Sequence, residues 1–251
     1  MGPIAVFDSG LGSLSIIKEI QKICKCNIIY LADHKNFPYG LKTKQQLEKI
    51  IKQTITLMNE KFNPELIVVA SNTPTILLEL NHRKIIGVKP PIKKAIKISK
   101  TKQIAILGTK SLIKSKILTD YVSTRSSSDV TIHKINGSPL VELVESGKFM
   151  KNKKYCINII KNHLENILDQ NNIDVCILSS THLPFLRTLL EFNFPNVIFI
   201  DPGKDVATKV CKLSKNKPSQ NKLKIYSTEN SKIFQKTLNQ LGINHKINSL
   251  K

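Results

Sequence analysis

The sequence predicts an α/β fold made of two lobes, each a doubly wound parallel sheet. Short runs rich in β-branched residues alternate with amphipathic segments almost throughout the chain, which is typical of parallel strands covered by helices. The 251 residues suffice for two domains of about 100–150 residues each. We therefore expect a first lobe formed by residues 1–92 plus 206–251 and a second lobe formed by residues 93–205.

The strands are predicted from apolar runs that end at polar residues, glycine or proline. They cover residues 3–8, 27–32, 65–70, 85–88, 103–107, 129–134, 173–178, 196–200 and 222–226. Apolar residues recur at helical spacing between them, at Leu14, Ile17, Ile20 and Cys24 and again at Ile157, Ile160, Leu164 and Ile167. These two stripes predict the buried faces of two helices.

The lobe boundaries are predicted from breaks in this alternation. Pro90-Pro91 precedes a basic helix and a new strand–helix series, so a first crossing between lobes is expected there. A second crossing is expected at DPGKD, residues 201–205. The polar, lysine-rich segment 212–224 is predicted to be a mobile loop.

The net charge of +21 raises the question of a nucleic-acid surface. Only three of the 39 basic residues are arginine, namely Arg83, Arg125 and Arg187. Base recognition and bidentate phosphate binding favour the planar guanidinium of arginine. The composition therefore predicts solvated surface charge, with nonspecific attraction to DNA at low salt as the remaining nucleic-acid interaction.

Other features of the composition favour a cytoplasmic protein without a metal. The apolar runs are too short and too often interrupted to span a bilayer, and the N-terminal MGPIAVFDSG lacks a signal-peptide pattern. The five cysteines include no CxxC pair, so neither a disulfide framework nor a zinc site is predicted, and Cys24 and Cys26 are interpreted as packing residues.

Polar residues follow four predicted strands at their carboxyl ends, where α/β proteins bind ligands. They are Asp8-Ser9-Gly10, Ser71-Asn72-Thr73, Gly108-Thr109 and Ser180-Thr181-His182. Helix N-termini at such an edge favour carboxylates, so a small dicarboxylate or an amino acid is the predicted ligand. The structural alternative is that Thr73 caps a helix with Pro74 at its first position, and that Asp8 and Ser9 cap a helix near Ser13.

Six blocks taken together resemble the glutamate racemase family of bacteria over nearly the whole chain. They are FDSGLGSLS (7–15), FPYGLKT (37–43), ASNT (70–73), GTKSLIKS (108–115), LVELVESG (140–147) and SSTHLPF (179–185). The resemblance implies two α/β lobes facing each other across a substrate cleft, with no cofactor and no metal. It also implies a cytoplasmic homodimer that interconverts L- and D-glutamate for peptidoglycan.

The two catalytic bases of that family are cysteines, and the matching positions here carry Ser71 and Ser180. A thiol has a reference pKa of about 8.5 that neighbours can lower, whereas a serine hydroxyl is a poor acid without an activating base. We therefore expect this chain to bind glutamate with little or no racemase activity. Two one-atom exchanges at these positions, with five cysteines kept elsewhere, favour introduced serines over natural ones.

The resemblance also assigns roles to the surrounding residues. The implied substrate-binding residues are Asp8, Ser9, Tyr39, Gly40, Asn72, Thr73, Thr181 and His182. Asp8, Glu145 and His182 are implied to orient or tune the two base positions. The chain departs from the family at Ser13 and Ser179, where glycine is usual, and at Leu183, where tyrosine is usual.

Three other functions stay open at the level of sequence. A noncatalytic amino-acid-binding or regulatory homologue would keep the cleft without the chemistry, and natural serines would favour it. A role at DNA or a topoisomerase would explain the charge. An aspartate racemase is the nearest enzymatic alternative, although the DSGLG and PYG blocks resemble the glutamate branch.

Overall fold

The computed structural model describes residues 2–80, 82–215, 221–229 and 232–250. The chain forms two compact units, Met1–Val88 with Gly203–Lys251 and Lys89–Pro202. The predicted lobe boundaries, after residues 92 and 205, lie a few residues beyond the boundaries of these units, which fall after Val88 and Pro202. Of the predicted loop at 212–224, residues 216–220 lie outside the described residues.

Strands and helices alternate along both units. The strands are β1 (Ile4–Asp8), β2 (Ile28–Ala32), β3 (Leu66–Val69), β4 (Ile85–Gly87), β5 (Gln103–Gly108), β6 (Thr131–Asn136), β7 (Val175–Ser179), β8 (Ile198–Ile200), β9 (Leu223–Ser227) and β10 (Ile247–Ser249). The helices are α1 (Ser13–Cys24), α2 (Lys44–Phe62), α3 (Asn72–Leu77), α4 (Ile92–Ile98), α5 (Lys110–Ile113), α6 (Lys116–Ser123), α7 (Ser138–Glu145), α8 (Lys148–Lys151), α9 (Lys153–Gln170), α10 (Arg187–Asn193), α11 (Gly203–Leu213) and α12 (Lys232–Gln240).

The two sheets are parallel, which confirms the predicted α/β class. The sheet of the first unit has the strand order β10-β9-β2-β1-β3-β4, and that of the second has the order β6-β5-β7-β8. Every residue of β1, β2, β3 and β7 is buried. Such strands are buried on both faces, which explains why they appear in the sequence as unbroken apolar runs.

Helices α1 and α9 each bury an apolar stripe. In α1 the predicted residues Leu14, Ile17 and Ile20 are buried. In α9 the prediction is partly wrong, because Ile167 is 38% exposed and the stripe runs through Leu168. Among the described residues, no helix is both long and apolar enough to cross a membrane.

The interpretation of Cys24 as a packing residue is wrong. Its sulfur forms a disulfide with Cys211, which joins α1 to α11 across a sequence separation of 187 residues. Cys26, Cys156 and Cys176 are free and buried. Burial raises the pKa of the Cys176 thiol to about 12 and that of Cys26 to about 11, so both stay protonated at neutral pH.

Asp174 anchors the strand that carries one of the polar ends. It lies directly before β7, and its carboxylate accepts hydrogen bonds from Ser99 Oγ at 2.6 Å, Lys100 N at 2.5 Å and Thr101 N at 3.1 Å. Burial alone would raise the pKa of Asp174, but these donors together hold it below the usual value. The ionised carboxylate therefore ties the segment after α4 to the start of β7.

Asp174→Ala is expected to lower the free energy of unfolding at pH 7 by about 1–2 kcal/mol, because three donors lose their acceptor while the site stays partly solvated. The folded pKa is depressed, so this contribution is present above the ordinary pKa of about 3.9 and is lost as pH falls through the folded value. Urea unfolding at pH 7 and pH 3 measures it. Asp169→Ala, at an exposed position of α9, is the control, and an equal loss in both variants would contradict the assignment.

Candidate active site

The carboxyl edge of the first sheet begins with Asp8 and Ser9. Asp8 is the last residue of β1, and both side chains are buried, with exposed fractions of 1% and 4%. The Asp8 carboxylate accepts a hydrogen bond from Ser9 N at 2.7 Å. Ala70 N donates to Phe7 O on the neighbouring strand at 2.8 Å, so the residues that follow β3 lie beside those that end β1.

The capping alternatives for these polar residues are wrong. The N-cap of α1 is Gly12, rather than Asp8 or Ser9. The N-cap of α3 is Ser71 rather than Thr73, without a capping bond from the side chain. The polar side chains at this edge are therefore not accounted for by helix capping.

Asn72 leaves a buried hydrogen-bonding atom unsatisfied. Its side chain is 2% exposed, and Nδ2 donates to Val88 O at 3.2 Å. Within the described parts of the chain, Oδ1 has no hydrogen-bond partner. A buried acceptor without a donor is costly, so its presence at a strand end indicates a position where a ligand donor can bind.

Ser71 has a different environment from the buried asparagine beside it. It is partly exposed, and its hydroxyl forms no hydrogen bond with any residue that the structure describes. Its carbonyl accepts from Thr75 Oγ1 at 2.7 Å, and Thr75 Oγ1 in turn accepts from Val88 N at 3.0 Å. The backbone at Ser71 is thus fixed, whereas no described residue offers its hydroxyl a basic partner.

Tyr39 and Gly40 lie in a 3₁₀ turn, Tyr39–Leu41, that contacts the same edge. Tyr39 N donates to Ser9 Oγ at 3.3 Å, and the phenol, 1% exposed, donates to Asp33 Oδ2 at 2.8 Å. Burial, followed by the charges of Asp33 and Asp8, raises the pKa of Tyr39 well above its ordinary value. Tyr39 is therefore a neutral donor.

Asp33 is a residue of this edge that the sequence analysis missed. It follows β2 directly and is 2% exposed. Besides Tyr39, its carboxylate accepts from Asn36 Nδ2 at 3.0 and 2.9 Å and from Thr228 Oγ1 at 3.3 Å. The signal that could have found it is its position, because an acidic residue directly after a buried strand lies at the carboxyl edge of the sheet.

The second unit presents Ser180, Thr181 and His182 directly after β7. All three are buried, with exposed fractions of 5%, 3% and 6%. Ser180 Oγ lies 3.4 Å from Nδ1 of His182, and Nε2 of His182 contacts Oε1 of Glu145 at the end of α7. The structure thus places a hydroxyl, an imidazole and a carboxylate in a row.

The other predicted positions complete the two edges. Thr73 is buried in α3, next to Asn72. Thr109 is the N-cap of α5 and its hydroxyl lies 3.4 Å from Ser111 Oγ. Ser179, directly before Ser180, is fully buried, and its Oγ has no partner among the described residues. That part of the chain also contains no group of three or more histidine, cysteine or acidic side chains that could hold a metal ion.

This fold and these strand ends define a class of protein. They are those of α/β proteins that bind a small polar ligand beyond the carboxyl ends of parallel strands, with hydroxyl, amide and carboxylate groups as the contacts. The described side chains at these edges can donate and accept hydrogen bonds and can transfer protons.

Comparison with known proteins identifies the family within this class. The chain is 31% identical to the glutamate racemase of Sulfurihydrogenibium sp. over 248 residues, covering 95% of this chain and 93% of that protein. No protein-family profile matches the chain. The chain belongs to the glutamate racemase family.

Solved structures share the fold. Escherichia coli glutamate racemase, in complex with L-glutamate and the activator UDP-MurNAc-ala, has a TM-score of 0.84 at 23% identity, covering 100% of this chain and 98% of that one. The Francisella tularensis glutamate racemase in complex with D-glutamate has a TM-score of 0.78 at 22% identity, covering 100% and 96%.

Proposed function

We propose that this chain binds glutamate as racemases do but has little or no racemase activity. The observation that carries the binding proposal is the buried Oδ1 of Asn72, which lacks a donor among the described residues. The α-ammonium group of an amino acid would supply one. Asp8, whose carboxylate ends β1 at the same edge, would add an opposite charge.

Further residues would complete the recognition of glutamate. The proposed binding residues are Asp8, Ser9, Tyr39, Gly40, Asn72, Thr73, Thr181 and His182. The complexes of two homologues with L- and D-glutamate support the choice of ligand. As part of the same proposal, the protein needs no cofactor and acts as a cytoplasmic homodimer linked to peptidoglycan synthesis.

The proposed loss of racemisation follows from the chemistry of the two serines. Racemisation needs a group that removes the α-proton and a second group that returns a proton to the opposite face of the carbon. The hydroxyl of Ser71 has no hydrogen-bonded base in the described structure, so its alkoxide is not accessible at neutral pH. Because a positioned acid or base contributes about 10²–10⁴-fold, losing even one of two bases is severe.

We expect calorimetric titration to show saturable binding of L- and D-glutamate, while the α-proton signal of either persists in deuterated water. Asn72→Ala should weaken binding about 10-fold or more, because it removes the acceptor proposed for the ammonium. The control is Asn221→Gly, which removes another buried Oδ1 that has no partner among the described residues. Asn221 lies before the amino end of β9, at the opposite edge of the sheet, and glycine suits the backbone φ of 55° there. Failure to bind either enantiomer, or rapid α-proton exchange in the unchanged chain, would refute the proposal.

A further inference from the structure

We propose that Ser180, with His182 as its base, is an acyl-transfer nucleophile that hydrolyses small carboxylic esters. The choice of glutamate esters as the preferred substrate class rests on the glutamate binding proposed above. The observation behind the proposal is the row of Ser180, His182 and Glu145, which the racemase chemistry does not use when position 180 carries a hydroxyl.

The contacts of His182 determine which of its nitrogens can act as the base. The ionised carboxylate of Glu145 can only accept hydrogen bonds, so the Nε2 that contacts it must carry the proton. The neutral ring then has its lone pair on Nδ1, the atom that lies 3.4 Å from Ser180 Oγ. That distance is long for a hydrogen bond, but contacts between nucleophile and base commonly tighten only when substrate is bound.

Burial strengthens this arrangement. Ser180 and His182 are 5% and 6% exposed, and the Glu145 side chain is 16% exposed. In such a medium a carboxylate stabilises the imidazolium that forms when His182 takes a proton. Ser71 offers a contrast within the same chain, because its hydroxyl has no base among the described residues. The structure therefore makes the two serines chemically unequal.

The proposed reaction needs only water as co-reactant. The Ser180 oxygen adds to the ester carbonyl carbon while its proton passes to Nδ1 of His182. When the bond to the alkoxy oxygen breaks, that proton goes to the leaving alcohol, and the acyl group remains on Ser180. Water then adds to the acyl carbon with one proton passing to His182, and Ser180 recovers this proton as the carboxylic acid leaves.

The first experiment measures the reactivity of each serine with a fluorophosphonate probe, whose fluoride a nucleophilic serine displaces. We expect one adduct per chain, located at Ser180 by peptide mass spectrometry. Labelling should be absent in Ser180→Ala and at least about 10²-fold slower in His182→Gln. The control is Ser179→Ala, the same change one residue earlier, at a buried hydroxyl for which the described part of the chain offers no partner. This variant should label at the original rate. Circular dichroism and the melting temperature of each variant verify that it is folded.

The role of Glu145 as a positioning residue has its own readout. The rate of p-nitrophenyl acetate hydrolysis should increase with pH as His182 loses its proton. Glu145→Gln should slow the reaction and also move this increase in rate to lower pH, because the imidazolium loses its counter-charge. An unchanged midpoint in Glu145→Gln would contradict the role of Glu145. Labelling of folded Ser180→Ala at the original rate, or equal labelling of Ser71 and Ser180, would overturn the nucleophile.

The probe reaction requires no glutamate, so the two proposals can fail separately. A chain that binds glutamate but does not react with the probe refutes the nucleophile and leaves the binding proposal intact. A chain that reacts at Ser180 but does not bind glutamate supports the nucleophile and removes glutamate esters as its substrate class. Faster hydrolysis of glutamate methyl ester than of lysine methyl ester, with free glutamate as inhibitor, would support both.

Discussion

The double variant Ser71→Cys with Ser180→Cys is expected to exchange the α-proton of glutamate at least about 10⁴-fold faster than the unchanged chain. Each restored thiol supplies an acid–base group worth about 10²–10⁴-fold, and two are restored. A thiol with a reference pKa of about 8.5 is partly ionised near neutrality, which a serine hydroxyl is not. Proton NMR of L- and of D-glutamate in deuterated water measures the exchange, and circular dichroism of the amino acid measures racemisation.

Single variants separate the two positions. Ser71→Cys alone and Ser180→Cys alone should each racemise far more slowly than the double variant, because one face of the α-carbon still lacks a base. Ser179→Cys places a thiol at the last residue of β7, one residue before Ser180, and should give no exchange. If the folded double variant binds glutamate without exchange, the enzyme interpretation fails and the noncatalytic binding or regulatory homologue takes its place.

The parts of the fold that the sequence predicted are those with strong local signals. The apolar runs of β1, β3 and β7 are typical of buried strands, and the geometry of a parallel sheet places the polar residues that follow them at its carboxyl edge. The strand β10 was missed because it is three residues long and mostly exposed, so only its pairing with β9 defines it. The predicted α9 stripe is right at Ile160 and Leu164 and wrong at Ile167, because apolar side chains occur on more than one face of this helix.

The missed features depend on partners that are distant in sequence. Cys24 meets Cys211 across 187 residues, and the Asp33 carboxylate meets Thr228 across 195. No local pattern marks such contacts. The polar row in the second unit was only partly predictable, since Ser180 and His182 are two residues apart whereas Glu145 is 37 residues from His182. The resemblance to the glutamate racemase family implies a role for Glu145, and the structure shows that its Oε1 contacts Nε2 of His182.

Asp33→Ala is expected to lower the free energy of unfolding by about 2–4 kcal/mol and to weaken glutamate binding about 10-fold or more. The variant leaves the buried phenol of Tyr39 without its acceptor and removes the partner of Asn36 and Thr228, and unsatisfied buried donors are among the costliest single changes. Binding should suffer because Tyr39 N contacts Ser9 at the ligand edge. Urea unfolding and calorimetric titration measure the two effects.

A double-mutant cycle tests whether the loss passes through Tyr39. If the Asp33 carboxylate acts by accepting from the Tyr39 phenol, the double variant Tyr39→Phe with Asp33→Ala should lose clearly less free energy of unfolding than the sum of the single variants. The reason is that Asp33→Ala leaves the phenol unpaired, and Tyr39→Phe removes that phenol. Asp33→Asn keeps one acceptor oxygen and should fall between Asp33→Ala and the unchanged chain. Glu60→Ala, at an exposed carboxylate of α2, controls for the loss of a charge. Strict additivity would mean that Asp33 acts on the fold through Asn36 and Thr228 instead, and that Tyr39 keeps its place at the ligand edge without it.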